Sequence, residues 1–163
     1  MLYELFGTDK PVIGVIHLLP LPGSPRFNGD LEPVLLRAEQ EATALASGGA
    51  HGIIIENFFD APFVKNRVDT ATACAMALAV QRVSVICDLP IGVNVLRNDG
   101  MSALAIAATA RAQFIRVNVL SGVAATARAA RMARSIRSAR LTASPRGARR
   151  DAGALRMPRM CDI

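Results

Sequence analysis

The chain reads as an α/β fold of about four parallel βα units, and three observations carry that reading. Four short segments are continuously apolar and rich in β-branched residues, too apolar for a sheet with one wet face. They recur at the spacing of strand-then-helix units. Each ends in polar side chains, and parallel sheets, closed or open, build ligand sites at the carboxyl ends of their strands.

The first strand is Pro11 to His17, PVIGVIH, whose alternation puts Ile13, Val15 and His17 on one face. A loop stiffened by three prolines, Leu18 to Gly29, leads to a helix that Asp30 caps and Glu32 favours through the helix dipole. Val34, Leu35, Ala38, Ala42 and Leu45 form its apolar face, and Gly48-Gly49 closes it. The second strand, Gly52 to Glu56, runs into Asn57 and a loop holding Phe58, Phe59, Asp60 and Phe63. A helix follows from Thr70 to about Val83; Val83 to Cys87 fits either its continuation or a strand. The third strand, Ile91 to Leu96, ends in Arg97, Asn98 and Asp99 at the mouth of a helix from Met101 to about Ala112. That helix is apolar nearly all round and should be buried on more than one side. Phe114 to Val119 is the fourth strand, with Phe114, Arg116 and Asn118 on one face.

At 163 residues and 52% hydrophobic content, the chain suffices for one domain with a substantial core. No apolar run reaches the about eighteen residues of a membrane span. The N-terminal residues carry no secretory pattern, which predicts a cytoplasmic address, at most peripheral to a membrane. Cys74, Cys87 and Cys161 lack the spacing of a disulfide framework or zinc site and read as two small buried residues plus one in a tail. The net charge of +6 is uneven. Residues 124 to 163 hold ten arginines against Asp151 and Asp162, a balance of +8, whereas residues 1 to 123 balance at −2. The high pI therefore says nothing of what the folded part binds, and no specific nucleic-acid partner is expected.

His17, Glu56 and Asp99 are the candidates for acid–base work, because imidazole and carboxylate groups move protons near neutral pH. Asn57, Asp60, Asn94, Arg97, Asn98, Arg116 and Asn118 are the candidates for ligand binding, with the two arginines pairing with an anion. Glu56 or Asp99 could also help hold a divalent cation, although no metal site or cofactor is assigned. Each has a structural alternative. Asp99 or Asn98 would serve as a helix cap, Arg116 as an ion-pair partner of Glu56 or Asp99, and Asn94 and Asn118 as partners for interior backbone.

The stretches PVIGVIHLLPLPGSP (11–25), GGAHGIIIENFFDAPF (48–63) and LPIGVNVLRNDGMSALAIAATARAQFIRVNVLSG (89–122) resemble the BtpA/SgcQ family of ribulose-phosphate-binding-like TIM barrels. The resemblance spans almost all of residues 11 to 122. It implies the N-terminal half of a (β/α)8 barrel, with strands five to eight and the usual phosphate site after strands seven and eight absent. It also implies the first and fourth strands as unpaired edges, which favour self-association. The family is associated with photosystem I biogenesis, and no settled reaction defines it.

The text departs from the family after about Thr126, which sets domains at 1–123, a half barrel, and 124–163, a non-homologous Arg/Ala-rich tail expected to be disordered or irregular. Arg128, Arg131, Arg134, Arg137 and Arg140 recur every third residue, so each falls about 60° short of a full helical turn and no single charged face forms. An arginine-rich RNA arm needs no such face, but no aromatic residue is present there to stack on bases. The alanine, arginine and serine bias with no lysine fits best an out-of-frame translation of a GC-rich gene.

Three functions compete on this reading. The first is a barrel binding a small phosphorylated or carboxylated metabolite at the strand ends, impaired in a half-length chain. The second is a non-catalytic assembly factor for a membrane complex, working through loops such as that of Phe58, Phe59 and Phe63. The third is a truncated product without function.

Overall fold

A computed structural model describes residues 2–119, together with the backbone of 123–126, 129–132 and 159–161. The elements run α1 (Leu2–Phe6), β1 (Ile13–His17), α2 (Glu32–Ser47), β2 (Gly52–Glu56), α3 (Thr70–Ile86), β3 (Ile91–Asn94), α4 (Gly100–Ala110) and β4 (Phe114–Arg116). Three short strands follow: β5 (Val123–Thr126), β6 (Ala129–Met132) and β7 (Arg159–Cys161). The expectations for residues 133–158, Arg134, Arg137 and Arg140 among them, lie outside the described residues, as does that for Arg128.

One parallel sheet has the order β1-β2-β3-β4-β7, and β5 and β6 form a separate antiparallel pair. The first four strands lie side by side in chain order, without the reversal that marks an open doubly wound sheet. This is the arrangement of one half of a (β/α)8 barrel. Among the described residues the edge strands of this sheet are β1 and β7, because β7 pairs with β4 in the register Phe114↔Arg159 to Arg116↔Cys161. The expectation of β4 as a free edge is corrected by that pairing, which satisfies backbone groups that would otherwise face solvent.

Strand alternation divides the sheet's side chains between two faces. Ile16, Ile53, Ile55, Val93 and Ile115 point to the helices and join Val34, Leu35, Ala38, Met76, Val80, Val83, Leu104 and Ile106 in the main core. The inner face carries a smaller cluster of Phe6, Ile54 and Phe114, packed by Leu5 and Ile13. Phe6 meets Phe114 edge to face, with ring centroids 5.4 Å apart. A side chain at Gly52 would collide with Phe6, so the glycine is what lets α1 sit on the sheet.

Several boundaries differ from expectation. Helix α2 begins beyond Leu31, not Asp30, although Asp30 still accepts the Glu32 amide at 3.0 Å. Helix α3 continues through Ile86, settling the ambiguous Val83–Cys87 segment as helix. Strand β3 stops at Asn94 rather than Leu96, and β4 at Arg116 rather than Val119. Helix α4 buries seven of its eleven residues, as its apolar sequence requires. Cys87 is buried, but Cys74 is exposed on α3, contrary to the expectation that both are core residues.

Candidate functional site

The parallel registers set His17 beside Glu56 and Glu56 beside Asn94, and β4 continues the row with Arg116, two residues beyond the Phe114 that pairs with Gly92. One polar residue from the end of each of four strands thus lies at one level of the inner face, just above the apolar cluster. Glu56 is the hub. Its Oε1 accepts from Nδ2 of Asn94 at 2.8 Å and from Nη1 of Arg116 at 3.0 Å, and its Oε2 lies 3.8 Å from Nε2 of His17. The two central members are buried, whereas the side chains of His17 and Arg116 at the ends are 40% and 38% exposed. His17 also stacks on Phe58, with ring centroids 4.2 Å apart and planes 19° off parallel, while Phe59 abuts both rings edge-on.

A second network ties the βα loops together. Asn57 accepts the Leu96 amide through Oδ1 at 2.7 Å and donates from Nδ2 to Oδ2 of Asp60 at 3.2 Å. Asp60 accepts the Leu21 amide through Oδ1 at 2.7 Å, so two side chains bind three loops. Burial pushes the Asp60 carboxyl above its ordinary range, and the hydrogen bonds from Leu21 and Asn57 pull partly the other way. Asp99 caps α4 by accepting the Ser102 amide and hydroxyl at 3.0 and 2.7 Å, and it holds the Val68 amide at 2.9 Å. Asn98 exchanges two hydrogen bonds with the backbone of Val119, at 2.7 and 3.1 Å. Between these loops lies a cavity of about 50 Å³, lined in part by Gly23, Asp60, Phe63, Asp69, Thr72 and Leu96.

A family model described as the BtpA family matches residues 8–144. The chain belongs to the BtpA family. It is 62% identical over 125 residues to the Photosystem I biogenesis protein BtpA of Synechocystis sp., an alignment covering 77% of this chain and 44% of that protein. An uncharacterised protein of Thermococcus kodakarensis is 48% identical over 117 residues, 72% of this chain and 44% of its own. The putative sgc region protein SgcQ of Escherichia coli is 35% identical over 117 residues, 71% of this chain and 43% of its own. The chain therefore spans less than half the length of these curated relatives. No solved structure is a significant match to it.

In this BtpA-family chain the ten sequence candidates divide. His17, Glu56, Asn94 and Arg116 come together in the row; Asn57 and Asp60 form the loop tie. Asp99 occupies the capping place weighed for it as an alternative, whereas Asn98, weighed as a cap, pairs instead with the backbone of Val119. Arg97 is half-buried, with its guanidinium 4.9 Å from the centre of the Phe63 ring, and among the described residues no carboxylate pairs with it. Asn118 is exposed beyond the end of β4 and belongs to neither network. Two participants went unassigned in the sequence. Ser102 is signalled by its place three residues after a capping Asp99. Phe58 was named only within a docking loop, and its stacking on His17 is announced by no local pattern. Among the described residues no group of three or more His, Cys, Asp or Glu is placed to hold a metal. Nor is any described helix long and apolar enough to cross a membrane.

Proposed function

We propose that the strand-end row binds a small anionic metabolite, phosphorylated or carboxylated. The single observation that carries this reading is the row itself: a buried Glu56–Asn94 pair flanked by half-buried His17 and Arg116 at the carboxyl ends of parallel strands. Arg116 engages Glu56 through one terminal nitrogen, and a guanidinium has five N–H groups, so it can hold an anion as well. Arg97, with no carboxylate partner among the described residues, adds a second cation. Glu56 and His17 are the acid–base pair of this reading, and the reaction they serve is left unnamed. The test is titration of the full chain with inorganic phosphate and with succinate, followed by calorimetry and by amide resonances. Arg116→Ala and Arg97→Ala should each weaken binding about tenfold, the loss expected for one charge-assisted contact. Binding unaffected by both substitutions would count decisively against the site.

The second reading is a non-catalytic assembly factor, favoured by the name of the Synechocystis relative and by Phe58, a large apolar side chain 45% exposed on the β2–α3 loop. Substitutions in that full-length relative separate the two. At the position aligned with Phe58, serine should impair photosystem I accumulation if the loop docks a partner. At the position aligned with Arg97, alanine should do so only if ligand binding matters.

A further inference from the structure

The cavity between the βα loops is lined by negative charge without a balancing positive one. Two carboxylates face it, Asp60 from the β2–α3 loop and Asp69 at the start of α3, and no lining residue is basic. Asp60 is only 9% exposed and is held by neutral donors, the Leu21 amide on Oδ1 and Asn57 Nδ2 on Oδ2. Among the described residues no Lys, Arg or His forms an ion pair with either carboxylate. Buried charges are as a rule paired, and a carboxylate with two hydrogen bonds keeps lone pairs for further donors. Burial raises the affinity of Asp60 for protons, as expected where no cation offsets the charge. Asp69 caps α3, accepting the Ala71 amide through Oδ1, and its charge offsets the positive end of that helix.

The rest of the lining limits what fits. Phe63, Val68 and Leu96 supply hydrocarbon walls, and Thr72 gives its hydroxyl hydrogen to the Pro22 carbonyl at 2.6 Å, which leaves its oxygen as an acceptor. Gly23, with φ at +96°, keeps the space open, because a Cβ there would stand 2.8 Å from Thr72 Oγ1 and 3.1 Å from Asp69 Cβ. The volume of about 50 Å³ has room for about four water-sized groups. A hard divalent cation takes about six or more oxygens, whereas half of this lining is hydrocarbon and no three described His, Cys, Asp or Glu come together. We propose that this cavity binds a primary alkylammonium group, its N–H donors on Asp60 and Asp69 and its short alkyl stem against Phe63, Val68 and Leu96. An ammonium brings three donors and the missing positive charge at once. The site shares no residue with the strand-end row and takes a ligand of the opposite charge, so it stands independently of the anion reading.

The test titrates two probes of nearly equal size, n-propylammonium chloride and 1-propanol, into the full 163-residue chain at neutral pH and follows the backbone amide resonances of Leu21 and Thr72. The ammonium probe should shift both resonances saturably and bind at least about tenfold more tightly than the alcohol, the difference between a charge-assisted and a neutral hydrogen bond. Asp69→Asn should weaken the ammonium probe about threefold, since Asp69 is exposed and solvent screens its charge, and should leave the alcohol unchanged. Asparagine caps a helix about as well as aspartate, so the fold is kept in that variant. Asp60→Asn should bring the ratio of the two affinities close to one. Equal affinities in the unaltered chain, or no saturable shift at millimolar concentration, would overturn the proposal. The same shifts produced by magnesium chloride at equal concentration would overturn it in favour of a metal ion. A preference that survives both substitutions would overturn the role of the carboxylates. Should Asp60→Asn fail to fold, Asp69→Asn and the comparison of probes on the unaltered chain decide the question.

Discussion

Arg116 and Glu56, sixty residues apart in the chain, are joined by a 3.0 Å hydrogen bond that links the end of β4 to the end of β2 across β3. Glu56 is nearly buried, and Arg116 is the cation hydrogen-bonded to its carboxylate. Arg116→Ala should lower stability by about 1–2 kcal/mol, below the figure for fully buried pairs because Arg116 is partly exposed. Adding Glu56→Gln to Arg116→Ala should recover part of the loss, since the uncompensated charge goes with it. Urea midpoints of the two single variants and the double variant measure the coupling. Strict additivity would show that the pair contributes nothing.

Asp99 makes three hydrogen bonds, two within its own helix start and one to Val68 in the preceding loop. Asp99→Ala should cost about 1–2 kcal/mol and speed hydrogen exchange at the Ser102 and Val68 amides before other amides respond. Unchanged exchange at both sites would remove Asp99 from the frame of the loop.

Asp60 has a carboxyl whose affinity for protons is raised by burial in the folded state. The folded chain therefore binds that proton more tightly than the unfolded chain does. Its stabilising contribution is present below the ordinary aspartate range and is lost as pH rises through the raised value. Asp60→Asn removes this dependence, so the stability of the variant relative to the parent should rise with pH across that interval. Urea denaturation at a series of mildly acidic pH values reads the slope, and parallel curves for the two proteins would contradict the assignment.

Gly92 lies opposite Phe114 on the inner face, and a Cβ there would run into the Phe114 ring, which is fully buried. Gly92→Ala should cost about 1–3 kcal/mol as an overpacked position, and Phe114→Leu in the same chain should relieve it. At Gly14 the obstacle is the end of the Leu45 side chain, which can rotate, so Gly14→Ala should cost less. Thermal melts of the three variants rank these effects. Equal losses at the two glycines would mean that the ring is not the obstacle.

Much of the fold was legible because its strands are written in a code that needs no partner. Gly52 to Glu56 is apolar throughout, opens on glycine and closes on a carboxylate, and the strand has those bounds. Strands β3 and β4 were read too long because their ends are set by distant groups: Asn57 captures the Leu96 amide, and Asn98 captures Val119. Val83 to Ile86 alternates in a way that suits either period, and its helical state follows from packing of Val83 in the core. The row of His17, Glu56, Asn94 and Arg116 was foreseeable as strand ends, but its common level depends on register, which adjacent residues do not specify. Asn57 and Asn98 resemble binding residues in the sequence for the same reason. Their hydrogen-bond partners lie 39 and 21 residues away.

Helix α1 acts as a floor beneath the strand-end row. Phe6 fills the space above Gly52 and rests on Phe114, so the inner face is closed by apolar side chains on the side away from the polar row. The first few residues are thus part of the vessel rather than a handle on it. Limited proteolysis that trims residues 2–6 should strip Phe6 from the inner face and expose Ile54 and Phe114 to water.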